Sequence, residues 1–249
     1  MGERSMGLYV YAVTSIEDDL PSLQGVLDRQ TFRVGSGPLN AIVSECPHGS
    51  LRAERRNLAA AQRVLTALNA KFDLLPMAFG TIAKSESDLR QFLDGQRDRL
   101  VNQLQRISGA VEMGVRLNID AADPIAYLVA RHPALQAARD RTYVGSRPPS
   151  HDAKVRLGQM VDEAFRRYRE AQSAQVMSVL GDACIEVLSL PVRNEKEIAN
   201  LAALVPRAGL EEFERAVQAS ANEIEEEIAF NIAGPWPPHN FVQFASQEG

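Results

Sequence analysis

The chain has 249 residues, 45% of them hydrophobic and 24% charged, globular values that exclude disorder, collagen or a disulfide scaffold as descriptions of the whole. At about 150 residues per domain the length corresponds to roughly 1.7 domains, so two are expected. Against 27 basic residues stand 32 acidic ones, and the net charge of −5 argues against non-specific binding to nucleic acid or to an anionic membrane.

Met1 to Ser5 lack the basic segment, apolar stretch and cleavage site of a secretory signal, and no apolar run reaches the length of about 18 residues that spans a bilayer. Cys46 and Cys184 stand alone, without a CxxC partner, as expected of small core residues in a reducing cytoplasm.

Leu8 to Val13, rich in aromatic and β-branched residues, predicts a buried strand. A polar stretch with Asp18, Asp19, Pro21 and Gly25 follows. Thr31–Val34 and Leu39–Ser44 flank Gly35-Ser36-Gly37-Pro38 and predict a β-hairpin. This glycine cluster matches neither GxxxxGK[ST] nor GxGxxG, so it reads as a turn and not as a phosphate cradle. Glu54–Lys71 reads as an amphipathic helix with Leu58, Ala61, Leu65, Leu68 and Phe72 in one apolar stripe. Leu74 to Thr81 reads as a short strand ended by proline. Ser85 caps a helix expected from about Ser87 past Val101, with Leu89, Phe92, Gln96, Leu100 and Leu104 roughly in line. These elements compose a first α+β domain, 1–108.

The second domain, 109–234, opens on the strictest alternation in the chain. Val111, Met113, Val115, Leu117 and Ile119 interleave with Glu112, Gly114, Arg116 and Asn118, a strand with one core face and one wet or polar face. Asp123–Arg141 is helical with a break at His132-Pro133. After the loop Gly145–Ser150, a long helix carries Leu157, Val161, Ala164, Tyr168 and Ala171 on one side. Ile185–Leu188 and Asn200–Val205 read as strands. A helix from about Leu210 aligns Phe213, Val217, Ala221, Ile224 and Ile228, but is expected to end near Glu225, Glu226 and Glu227, where carboxylates oppose the helix dipole. Ile228–Ile232 starts a last strand. The fold class is therefore α+β with antiparallel-type sheets in both domains, the second a ferredoxin-like βαββαβ unit. A Pro/Trp-rich tail, 235–249, packs back on the protein through Trp236 and Phe241; the competing reading is a proline ligand for an SH3-type partner.

Chemistry-bearing motifs are sparse. His48, His132, His151 and His239 lack metal spacing, and Cys46 with His48 has no second ligand pair. His151-Asp152 reads as a first helical turn, and the arginines at 52, 55 and 56 and at 166, 167 and 169 as solvated helix faces. No GxSxG elbow or activated cysteine is present. The residues name no catalytic, cofactor-binding or metal site, although a carboxylate pair meeting only in the fold stays open.

Two segments carry a resemblance. Leu74-Leu75-Pro76-Met77-Ala78-Phe79-Gly80-Thr81 after an amphipathic helix, and Gly234-Pro235-Trp236-Pro237-Pro238-His239-Asn240-Phe241-Val242 near the end, resemble the gas vesicle protein F/L family. Tyr9-Val10-Tyr11-Ala12-Val13 looks like that family's opening strand. Its framework is retained at Pro76, Phe79, Gly80, Gly234, Trp236, Pro237 and Pro238 as structural signature residues. Departures fall at Ala78, often basic in the family, at His239, often tyrosine, and near Ala61, where a histidine is common.

The resemblance implies a non-enzymatic accessory or minor structural protein, cytoplasmic or on the gas vesicle. It would bind the hydrophobic shell subunit and other gas vesicle accessory proteins, assist nucleation and assembly, and take no cofactor, membrane or small-molecule substrate. Two surfaces are candidates for that contact, the alternating strand 111–119 and the arginine-bearing helix 152–172. The alternative is a cytoplasmic enzyme with a carboxylate-based site.

Overall fold

Strand β1 (Met6–Thr14) organises the first sheet because every residue in it after Met6 is buried. The structure, a computed structural model, describes residues 6–15, 20–144, 148–224 and 227–244. The polar stretch at Asp18 and Asp19, the loop residues 145–147, Glu225, Glu226 and the last five residues of the tail lie outside these. β2 (Thr31–Ser36) and β3 (Leu39–Pro47) form the expected antiparallel hairpin, and its turn needs glycine at Gly37, where φ is +57°. β3 pairs antiparallel with β1, and Tyr11 is the extra residue of a bulge between Val10 and Ala12.

Tyr11 uses that bulge to fix a tight loop. Its hydroxyl lies 2.8 Å from Ser44 Oγ and accepts the Val26 amide at 2.7 Å. Beside it, Leu27 and Asp28 adopt left-handed φ values of 55° and 57°, which cost about 1–2 kcal/mol each in residues with a Cβ. Gly25 is required by close approach, since a Cβ there would sit 1.9 Å from the tyrosine oxygen.

α1 (Arg55–Asn69) forms over the expected span and buries Ala61, Leu65 and Leu68 of the expected stripe, with Leu58 left outside it. Asn57, Ala60, Ala61, Val64, Leu65 and Leu68 are buried, whereas Leu58 is 43% exposed. The sheet selects the face: Ala60, Ala61, Val64, Leu65 and Leu68 pack against Tyr9, Tyr11 and Ile42, and Asn57 is accommodated by donating to the Arg52 carbonyl at 3.1 Å. The strand expected over 74–81 is reduced to β4 (Leu75–Pro76), followed by β5 (Ile82–Ala83), both antiparallel to β1.

One helix expected from Ser87 is two, α2 (Glu86–Gly95) and α3 (Arg97–Arg106), broken where Gln96 leaves helical geometry at φ −113° and ψ 11°. Ser85 caps α2 by accepting the Asp88 amide at 3.1 Å. Leu93, not Phe92, joins Leu89, Leu100 and Leu104 in the interior.

β6 (Ala110–Ile119) buries Val111, Met113, Val115, Leu117 and Ile119 as the alternation predicts, and Glu112 is buried on the face expected to be wet or polar. β6 lies between β8 and β9, so both its edges are paired within the sheet. α4 (Pro124–Arg131) and α5 (Pro133–Thr142) break at His132, and α6 (His151–Leu180) is capped by Ser150. β7 (Glu186–Ser189), β8 (Glu197–Pro206), α7 (Leu210–Glu223) and β9 (Ile228–Trp236) complete the chain. β9 runs through Gly234 and Pro235 to Trp236.

The second sheet has the order β7-β8-β6-β9, with α4 to α6 between its first and second strands in sequence and α7 between the third and fourth. Phe165, Val176, Leu180, Phe213 and Val217 pack onto Val115, Leu117 and the inner residues of β8. The chain divides into two compact units, Met1–Glu112 with Pro235–Gly249, and Met113–Gly234.

Tyr11→Phe strips the buried Val26 amide of its acceptor. The expected loss is about 1–3 kcal/mol, read as a lower urea midpoint. Gly25→Ala, which forces the tyrosine oxygen aside, should cost about 1–3 kcal/mol by overpacking.

Candidate functional site

The signature residues Pro76, Phe79 and Gly80 form a turn held on β1. The Met77 amide donates to the Tyr11 carbonyl at 2.8 Å, and the Val10 amide donates to the Thr81 carbonyl at 2.9 Å. Between these two anchors the chain loops out, closed by the Thr81 amide on the Ala78 carbonyl at 3.2 Å. Gly80 has φ +91°, a conformation that explains a glycine at this corner. Phe79 stands edge-on to Tyr9 at 5.8 Å between centroids, and Tyr9 lies 4.8 Å from Tyr11. Burial pushes the Tyr9 phenol up to about 12 against the opposing effect of the Gly80 amide, so this hydroxyl stays neutral and structural.

The same turn borders a groove of about 710 Å³ floored by Val10, Leu89 and Phe92, with Lys84, Asp88 and Gln96 among its polar lining. Ala78, one of the departures, is exposed at the turn, whereas Ala61 is buried in α1. Position 61 faces the core here and offers no surface to a partner.

The second signature segment returns the chain to its first unit. Gly234 has φ +123°, Trp236 is half-buried at the end of β9, and Pro237 and Pro238 are buried. A 3-10 turn over His239–Phe241 follows, closed by the His239 amide on the Pro237 carbonyl at 2.8 Å. His239 is exposed, and Phe241 is 2% exposed.

Glu112, only 4% exposed, is the centre of this arrangement. Its Oε2 accepts the Asn240 amide at 2.8 Å and its Oε1 accepts Asn240 Nδ2 at 2.6 Å. Gln103 pairs reciprocally with the backbone of Gln243, accepting its N–H at 2.7 Å and donating to its carbonyl at 2.9 Å. Arg106 donates to the Phe241 carbonyl. None of Glu112, Gln103 or Arg106 stood out in the sequence as a site. The signal for Glu112 was a carboxylate inside the alternating strand, one residue from Val111 and Met113.

Burial pushes the Glu112 carboxyl up, and the two hydrogen bonds from Asn240 oppose this. The folded state then holds this proton to a higher pH than the unfolded chain. The group's contribution to stability is fully present below the ordinary carboxylate pKa and is lost as pH rises through the raised folded value.

Elsewhere the chemistry is muted. Among the described residues no three His, Cys, Asp or Glu side chains come together to hold a metal. Cys46 is buried in the first core, and burial pushes its thiol up; the Cys184 thiol is pushed up to about 11 by the same cause. Thiols shifted this way are poor nucleophiles. His151 opens α6, as expected, with Asp152 in its first turn.

On α6, Glu163 bridges Arg166 and Arg167, each at 2.7 Å, and Arg166 also reaches Glu170 at 2.7 Å. Arg169 instead folds over Phe165, with its guanidinium 5.2 Å from the ring centroid, and donates to the Glu197 carbonyl at 3.2 Å. A second groove, about 390 Å³, runs between Ile125, Tyr143, Leu157, Val161 and Phe165, with Lys154 and Asp162 at its polar margin. α6 buries only Phe165, Val176 and Leu180 of its 30 residues, and Val155 and Met160 are exposed. Nearby in sequence, Tyr143 and Val144 are 56% and 75% exposed.

Residues 7–243 match the family of the gas vesicle synthesis proteins GvpL/GvpF, and the chain belongs to that family. A gas vesicle protein F of a Streptomyces species is 28% identical over 246 residues, covering 96% of this chain and all of the relative. The gas vesicle protein F of a Nostoc species is 24% identical, covering 97% of this chain and all of the relative. The crystal structure of gas vesicle protein GvpF from an Anabaena species superposes with a TM-score of 0.82 at 24% identity, covering 97% of this chain and all of that one. The GvpF structure from Microcystis aeruginosa gives 0.78 at 22% identity, covering 96% of this chain and 99% of that one. Both establish the fold.

Asn240→Ala removes one of the two hydrogen bonds to a buried carboxylate and should cost about 1.5–3 kcal/mol in chemical denaturation. Glu112→Gln removes the titration, so the stability of the wild type relative to this variant should fall as pH rises above the ordinary carboxylate range. A difference that grows with pH contradicts the assignment.

Proposed function

We propose that this member of the GvpL/GvpF family is a non-enzymatic accessory protein of gas vesicle formation. It binds the hydrophobic shell subunit, acts with other accessory proteins, and assists nucleation and assembly at the vesicle in the cytoplasm. The observation that carries this reading is the family match along residues 7–243. A shell subunit exposes apolar surface before incorporation and is prone to aggregate in water, so a partner that covers that surface would assist its assembly.

The first half of α6 is the surface best suited to this role. No side chain is buried between His151 and Ala164, and Val155 and Met160 stand exposed on the same stretch. Its groove is apolar along the walls and charged at the margin, the pattern of an interface core with a polar rim. Arg166 and Arg167 are matched by Glu163 and Glu170, so contact there would be apolar in the main. The signature residues Pro76, Phe79, Gly80, Gly234, Trp236, Pro237 and Pro238 shape backbone and do not touch the partner. The strand order β7-β8-β6-β9 supports reading the second unit as ferredoxin-like βαββαβ, with α4 and α5 added before α6.

The test is co-expression with the shell protein, comparing soluble complex and floating vesicles with and without this chain. Ile125→Glu with Tyr143→Glu, both in the groove wall, should weaken the complex at least about tenfold, or 1.4 kcal/mol. The same substitutions should leave unfolding stability within about 0.5 kcal/mol, because both positions are exposed. Absence of a complex, together with vesicles that form normally after deletion, overturns the proposal.

A further inference from the structure

The segment Pro237–Gln243 is held in the first unit as a bound peptide is held. Every group that reads it lies outside it, on α3 or at the start of β6. Gln103 takes both backbone groups of Gln243, with bonds of 2.7 and 2.9 Å. This is the bidentate amide contact that recognises a main chain whatever the side chain. Arg106 takes the Phe241 carbonyl. Glu112 takes the Asn240 amide at 2.8 Å and the Asn240 side chain at 2.6 Å, a contact that selects asparagine. Phe241 is buried, and the prolines before it limit the conformations that the segment loses on binding. Main-chain reading, one polar selector and one aromatic anchor together make a sequence-specific peptide site.

We propose that Gln103, Arg106, Glu112 and the Phe241 socket form a peptide-recognition site that takes the segment Pro-Pro-His-Asn-Phe-Val-Gln in trans from a second copy of this chain. The occupant is fixed by the complementarity already seen in cis, since a second copy carries the same segment. Tethering gives the chain's own segment an effective concentration on the order of millimolar, so the site stays filled in cis in dilute protein. Exchange becomes favourable where chains are concentrated on a growing assembly, or where the cis segment is displaced. Two copies that exchange segments form a closed symmetric pair with the same contacts as the monomer. This site is separate from α6, so its failure leaves the proposed shell contact untouched.

Two full-length variants test it. Glu112→Ala disables the site and leaves the segment intact; Asn240→Ala with Phe241→Ala disables the segment and leaves the site intact. Each alone should be monomeric by light scattering. Mixed, they should form a 1:1 pair of doubled mass, which an excess of synthetic peptide spanning 237–243 dissolves. Where circular dichroism shows the double substitution unfolded, Asn240→Ala alone takes its place, and the peptide should raise its Tm. Folded variants that stay monomeric on mixing, a pair that excess peptide leaves intact, or a peptide that leaves that Tm unmoved each overturn the proposal.

Discussion

A buried carboxylate must be satisfied by donors or lose its charge, and Glu112 meets this constraint with the two donors of Asn240. The last residue of one continuous stretch of the first unit thereby fixes a segment that arrives more than a hundred residues later. Once Asn240 is fixed, Phe241 is seated, its carbonyl meets Arg106, and Gln243 falls in register with Gln103. Burial alone would favour the protonated acid, and the bonds from Asn240 resist that shift, so the clamp holds a polar group where apolar neighbours are the rule. Such a group contributes little net stability but penalises every wrong placement of the tail.

The opening strand plays a comparable part within the first sheet. β1 is buried along nearly its whole length, and Tyr9 and Tyr11 carry hydroxyls into that interior. Each finds backbone to bond: Tyr11 meets the Val26 amide at 2.7 Å, and Tyr9 the Gly80 amide at 3.5 Å. Two irregular segments, the left-handed turn at Leu27-Asp28 and the signature turn at Phe79-Gly80, are thus tied to one strand. There Phe79 packs edge-on against the Tyr9 ring and Gly80 takes a φ of +91° that favours glycine. The exposed first half of α6 has no such ties. Val155 and Met160 are left open there, while Val161 and Ala164 pack against the core.

Much of the local structure was legible in residue order. The hairpin at 31–47, the cap at Ser85, the helix start after Ser150, the break at His132-Pro133 and the alternation of β6 all follow from short-range sterics and hydrogen bonding. Positions set by packing were less legible. α1 turns Leu58 outward and Asn57 inward because Tyr9, Tyr11 and Ile42 decide which face fits, while Ala61, Leu65 and Leu68 stay on the buried side. The helix expected past Val101 breaks at Gln96, where the chain leaves helical geometry although the periodicity continues.

The sequence by itself determined the α+β class, most element positions and, through two short motifs, the gas vesicle family, because these depend on local conformational preference and residue identity. Only the tertiary structure decided that β6 is an inner strand with no edge to offer, that β9 continues to Trp236, and that Glu112, Gln103 and Arg106 receive the segment after it. The reason is physical. These facts depend on which groups meet across more than a hundred residues of chain, and neither period nor propensity encodes a meeting at that distance.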